Sequence, residues 1–211
     1  MSLFTILLGG DLTVTSRLRR QMHGAHVIAA DSGISHAAAL GVSPELWVGD
    51  FDSSTEADHA AHANVPRDTF PAAKDQTDGE LAVDIALKRG ATRLILAGAF
   101  GGPRVDHAFL HLTLGLSLAE RGIDVLLSSG TQEGVPLLPG ERTLDYEDGT
   151  LFSVLGFSEL EGLSLIGAQW PLDRVHVPFG SSLTISNRVT GNLVARLSSG
   201  RAMIIAHPEG Y

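Results

Sequence analysis

Five short apolar runs punctuate the first 128 residues, at 3–8, 26–30, 46–48, 93–97 and 123–127. Each is bounded by turn-forming residues, so they read as strands buried on both faces. Helical patterns fill the intervals near 13–22, 35–40, 55–63, 77–89 and 108–121, several stopped by a glycine such as Gly41, Gly90 or Gly122. Strands that alternate with helices need crossover connections, and the expected product is an open, mostly parallel sheet flanked by helices.

Beyond this region the texture changes. SSGTQEGVPLLPGE (128–141) is rich in turn-formers, and from Thr143 onward short strand-like runs are separated by Gly, Pro, Asn and Ser, with no convincing helix. A smaller all-β sandwich domain is therefore expected after the α/β domain, with the boundary drawn at 1–128 and 129–211. In NLVARLSSGRAMIIA (192–206), Leu193, Ala195 and Leu197 alternate with Asn192, Val194 and Arg196, and Ser199-Gly200 reads as a hairpin turn.

Composition narrows the functional classes. With 44% hydrophobic and 18% charged residues the chain can bury a core. A formal charge of −9 argues against nucleic acid as a partner and means that a phosphorylated ligand needs added cations. The absence of cysteine excludes disulfides and thiolate chemistry and fits a cytoplasmic protein. The opening SLFTILLGG is too short and too unflanked for a signal peptide or a membrane span, so no membrane association is expected.

In open α/β sheets ligands bind beyond the carboxyl ends of the strands, and polar motifs follow four of the five runs. The first is followed by Gly9-Gly10-Asp11 and the second by Asp31-Ser32-Gly33. The third leads into VGDFDSS with Asp50 and Asp52, and the fourth into GAFGGPRVDH (98–107). Glycines such as Gly9, Gly101 and Gly102 let backbone N–H groups approach phosphate oxygens, though each also fits a tight turn. In an extended segment Asp50 and Asp52 point the same way, which suits a divalent cation; the same residues also fit a polar turn at the start of a helix.

AAKDQTDGELAVDIALKRG contributes Lys74, Asp75, Thr77 and Asp78. Thr77 and Glu80 have capping-box spacing, and Leu81, Ile85 and Ala86 give the expected buried face. Acids in a first helical turn are stabilised by the macrodipole, so Asp78 is either structural or a ligand. Arg104 and Asp106 open the leucine-rich helix, where an arginine can reach a phosphate and an aspartate a metal or an attacking hydroxyl. His107 is ambiguous, and His36, His59, His62 and His111 show no metal-ligand pairing. Trp170 reads as core or as a ligand platform.

Taken in order, ADSG (30–33), PELWVGDFDSS (44–54), KDQTDGELA (74–82), GAFGGPRVDH (98–107), QWPL (169–172) and TISN (184–187) resemble the thiamine pyrophosphokinase family over nearly the whole chain. The resemblance implies an ATP-binding α/β domain and a β domain that completes the thiamine site, usually across a homodimer. It implies pyrophosphate transfer from ATP to the thiamine hydroxyl, with release of AMP. Asp50, Asp52 and Asp78 then look like Mg²⁺-binding carboxylates, with Asp31, Asp75 and Thr77 beside the nucleotide or metal waters. Arg104 and Asp106 fall at the reacting phosphates and hydroxyl, Trp170 looks like the aromatic that stacks on thiamine from the partner subunit, and Ser186 and Asn187 like substrate contacts. Ser32 stands where the family has a second glycine, and Pro103 is inserted before Arg104. A metal-dependent nucleotide-sugar transferase also uses a DxD after a strand but leaves KDQTD and GGPRVDH unexplained; an aspartyl phosphatase would place its acids after the first strand. A non-catalytic thiamine- or nucleotide-binding module is the alternative outside enzymes.

Overall fold

The computed structural model describes residues 2–52, 54–71 and 75–210. They fall into two compact units, one formed by 1–114 and 123–130, the other by 115–122 and 131–211.

The first unit is built on six parallel strands: β1 (Leu3–Leu7), β2 (His26–Ala30), β3 (Leu46–Gly49), β4 (Arg67–Thr69), β5 (Arg93–Ala97) and β6 (Asp124–Ser128). Their order across the sheet is β4-β3-β2-β1-β5-β6. Apart from β4, almost every residue of these strands is buried, the pattern of a parallel sheet covered on both faces. β4 is three exposed residues and carries no apolar periodicity, which is why it is silent in the sequence. The helices are α1 (Ser16–Gln21), α2 (His36–Leu40), α3 (Glu56–Ala61), α4 (Asp78–Lys88) and α5 (Val105–Glu120), and a 3₁₀ turn (Asp31–Ser35) leads into α2. Gly41, Gly90 and Gly122, read as helix stops, have φ of 72°, 88° and 81°, the left-handed conformation of such caps.

α4 shows how local chemistry fixes an element. Thr77 Oγ1 accepts from Glu80 N–H at 3.3 Å, and Glu80 Oε2 accepts from Thr77 N–H at 2.9 Å, so the capping box forms as expected. The buried face differs from expectation: it consists of Gly79, Ala82, Val83 and Ala86, while Leu81 and Ile85 are half-buried. The helix packs its small residues against β1, β2 and β3, where close approach to a covered sheet favours small side chains over leucine.

The second unit carries β7 (Glu133–Leu137), β8 (Gly140–Leu144), β9 (Leu151–Gly156), β10 (Leu160–Ala168), β11 (Leu172–Val177), β12 (Asn187–Leu197) and β13 (Ala202–His207), all paired antiparallel. The turn-rich stretch holds β7, every residue of which is buried despite Gly134 and Pro136. β12 is long enough to serve two sheets. Asn187 and Arg188 pair with β9, and the stretch from Leu193 to Leu197 pairs with β8 and β10. The predicted hairpin is therefore corrected: both strands form and Leu193, Ala195 and Leu197 are buried, but β13 pairs with β7 and β9. Alternation specifies which face is buried, not which neighbour is chosen.

Removing the α4 cap tests the local account. Thr77→Ala is expected to destabilise the protein by about 1 kcal/mol, seen as a lower urea midpoint with an unchanged slope.

Candidate functional site

In the first unit the strand order reverses between β1 and β5, so the crevice of this α/β sheet opens beyond their carboxyl ends. The segments leaving the two strands are laced together there. Gly10 N–H donates to the Gly98 carbonyl at 3.0 Å and Asp11 N–H to the Phe100 carbonyl at 2.9 Å. Gly101 has φ of 66°, and a Cβ on it would collide with the Asp11 carboxylate, so both conformation and space demand glycine. Gly9 is used differently: the Ser32 hydroxyl lies where its Cβ would stand. The serine that departs from the family pattern is thus accommodated by that glycine.

A cleft of about 610 Å³ occupies this crevice. Gly9, Asp31, Asp50, Thr77, Asp78, Gly101, Gly102 and Arg104 line it, together with Gln76, Pro103, His107 and His111. Asp52 and Asp75 are exposed and do not line it. Lys74 lies outside the described residues. Trp170, Ser186 and Asn187 belong to the second unit.

Asp31, Asp50 and Asp78, each partly buried, bring a carboxylate oxygen within 4.8 Å of one another. They come from the ends of β2 and β3 and the first residue of α4. The donors are all hard oxygens, a set that fits Mg²⁺, which takes few carboxylates and completes its shell with water and phosphate oxygens. Among the described residues Asp52 is not in this group. β3 ends at Gly49, and Phe51 adopts φ of 65°, so the extended path that would align Asp50 with Asp52 is broken between them. Instead Asp52 N–H donates to Asp50 Oδ1 at 3.2 Å. Asp31 completes the group. It sits at φ of 45°, its carbonyl accepts the Trp47 indole N–H at 2.9 Å, and its carboxylate accepts from Ser54 Oγ at 3.3 Å.

Two histidines with no legible role in the sequence support the glycine turns. His36 Nε2 meets the Gly10 carbonyl at 2.9 Å and His111 Nδ1 the Ala99 carbonyl at 3.0 Å. A carbonyl only accepts, so each ring nitrogen carries the proton. Burial pushes His111 below the ordinary histidine range, keeping it neutral beside the acids.

Pro103 precedes Arg104, whose carbonyl accepts from His107 N–H at 3.1 Å and Ala108 N–H at 3.2 Å. The inserted proline therefore sits outside the first turn of α5, where a missing N–H does no harm. The Arg104 guanidinium forks onto Asp106, Nε to Oδ1 at 2.9 Å and Nη2 to Oδ2 at 2.6 Å. Hydrogen bonds from Arg104 hold the Asp106 carboxyl down at about 2, from an ordinary 3.8. The folded value is depressed, so any stability from this pair is present above pH 3.8 and is lost as pH falls through about 2.

A glycine-lined crevice at the switch point of a parallel sheet, with three clustered carboxylates, defines a class: an α/β protein with a ligand cleft whose donors fit a polyphosphate and a divalent cation. Comparison narrows it. The family model for "Thiamin pyrophosphokinase, catalytic domain" matches residues 20–127, and that for "Thiamin pyrophosphokinase, vitamin B1 binding domain" matches residues 141–204. Thiamine pyrophosphokinase of Bacillus subtilis is 31% identical over 166 residues, 77% of each chain. A crystal structure of thiamine pyrophosphokinase from the same organism superposes with a TM-score of 0.87 at 26% identity, covering 98% of this chain and 99% of that one. The enzyme structure from Geobacillus thermodenitrificans gives 0.80 at 28% identity, covering 98% and 97%. The chain belongs to the thiamine pyrophosphokinase family.

Arg104→Met is expected to return the Asp106 carboxyl from about 2 towards 3.8, followed by carboxyl NMR titration. A value that stays near 2 would mean that Arg104 is not what holds it.

Proposed function

We infer that this chain transfers the pyrophosphoryl group of ATP to the hydroxyl of thiamine, giving thiamine diphosphate and AMP. The observation that carries the reading is the coincidence of two family matches in series along the chain with a glycine-lined crevice whose three clustered carboxylates lie inside the first of them. The same matches do not favour the nucleotide-sugar transferase or binding-module readings.

The residues that would hold Mg²⁺ are Asp31, Asp50 and Asp78, with Asp52 on the adjoining turn. When bound, the cation supplies charge neutralisation for ATP in a chain whose own net charge is −9. The backbone at Gly9, Gly101 and Gly102 gives the phosphates close approach, and Asp75 and Thr77 flank the nucleotide, with Lys74, next to Asp75 in the sequence, read as a further cation. In the reaction the thiamine hydroxyl oxygen bonds to the β-phosphorus and the bond from that phosphorus to the oxygen bridging it to the α-phosphorus breaks, the electron pair leaving with AMP. Arg104, facing the cleft, stabilises the charge that moves onto the transferring oxygens. Asp106, with a carboxyl near 2 while paired to Arg104, orients the hydroxyl by accepting a hydrogen bond and is too weak a base to keep its proton. The proton passes to solvent or a phosphate oxygen.

Trp170 is read as the face on which the thiamine rings stack, a cationic heterocycle over an indole. Five large apolar side chains of the second unit, Ile166, Trp170, Phe179, Leu183 and Ile185, are 42–72% exposed. Side chains of this kind on one unit fit a homodimer in which the β domain completes the partner's thiamine site. Among the described residues no helix is long and apolar enough to cross a membrane; the cytoplasmic reading rests on a cysteine-free composition, which fits a reducing compartment.

Purified protein given thiamine, ATP and Mg²⁺ is expected to yield thiamine diphosphate and AMP in equal amounts, abolished by EDTA. ADP with thiamine monophosphate would overturn pyrophosphoryl transfer. Asp50→Asn is expected to lower turnover by about a hundredfold or more with unchanged thermal stability; full turnover would remove Asp50 from the site.

A further inference from the structure

Trp170 stands in the connection between β10 and β11 with 56% of its surface exposed, yet one side chain pins its backbone at both ends. Asn187 Oδ1 accepts the Trp170 N–H at 3.1 Å, and Asn187 Nδ2 donates to the Trp170 carbonyl at 2.8 Å. The amide serves as a neighbouring strand for a single residue. Its orientation is fixed, because a backbone N–H needs the oxygen and a backbone carbonyl needs the nitrogen. The same Oδ1 also accepts the Arg188 N–H at 2.8 Å, and Asn187 is only 5% exposed.

The surroundings reinforce this clamp. Gln169 N–H donates to the Arg188 carbonyl at 2.8 Å, and Pro171 disfavours a helical backbone for the residue before it. Ser186, at φ of 62° with its N–H donating to Ser153 Oγ at 3.0 Å, turns the chain so that Asn187 enters β12 facing Trp170. The indole therefore projects from a backbone with little freedom left, the condition under which a stacking face binds without first having to be ordered.

We propose that Asn187 is a positioning residue that pre-sets the Trp170 indole for the aromatic, cationic substrate and does not itself touch that substrate. This rests on the reading of Trp170 as the thiamine platform. It revises the sequence expectation, which placed Asn187 against the substrate directly.

The test is a double-mutant cycle on the KM for thiamine, with the KM for ATP as internal control. Asn187→Ala raises the thiamine KM about tenfold and leaves the ATP KM unchanged. Asn187→Asp keeps the acceptor for the Trp170 N–H but sets an oxygen against the Trp170 carbonyl, so with its fold checked by circular dichroism it raises the thiamine KM at least as much as Ala. In a Trp170→Ala background either change adds almost nothing, because there is no ring left to position. A full additional factor in that background would mean direct contact or general damage and would overturn the proposal. If Trp170→Ala alone leaves the thiamine KM unchanged, the platform reading falls instead. Time-resolved tryptophan anisotropy of the free protein then decides the clamp separately, since Trp47, the other of the two tryptophans, is fully buried and gives a constant background. Asn187→Ala, which can supply neither donor nor acceptor, is expected to add fast local motion of the Trp170 ring; an unchanged decay would overturn the clamp.

Discussion

Three carboxylates held within 4.8 Å of one another repel, by between about 1 and about 3 kcal/mol per pair across the range from bulk water to an effective dielectric of about 20. A fold tolerates that only where rigid elements impose it and a cation relieves it. Here each acid is fixed by a different device. Asp31 sits in a left-handed backbone conformation tied down through the Trp47 indole. Asp50 follows the last residue of a buried strand, and Asp78 opens a helix whose capping box fixes its first turn. Placing an acid at a helix N-terminus offsets part of the repulsion through the macrodipole.

The rest of the crevice follows from the sheet. Reversal of strand order between β1 and β5 leaves a gap that the turns after those strands must line, and glycine lets them cross with main-chain atoms nearly in contact. The acids and the glycines are thus two consequences of one topology. The negative groups offer oxygen donors of the kind a hard cation takes, and bare backbone leaves the space that close approach of phosphate oxygens needs.

Much of this was legible in the residues. Near-continuous apolar runs announced the parallel strands, and Thr77 with Glu80 announced the start of α4. Sequence did not reveal the choice of partner. The strands on either side of Ser199-Gly200 form but do not pair with each other, because pairing depends on distant neighbours. Asp31, read as lying beside the nucleotide or metal waters, stands in the carboxylate group, while the left-handed conformation of Phe51 breaks the extended path between Asp50 and Asp52, a backbone property that alternation cannot register. β4 and the supporting roles of His36, His111 and Trp47 left no periodic signal, since each depends on a single long-range hydrogen bond or on an exposed edge.

The central claim is that this carboxylate group is a cation site. The most direct measurement is the anomalous scattering of Mn²⁺ in crystals of the protein. The account predicts a peak about 2.1 Å from carboxylate oxygens of the Asp31, Asp50 and Asp78 group. Cation density only elsewhere, with those three acids unligated, would contradict it.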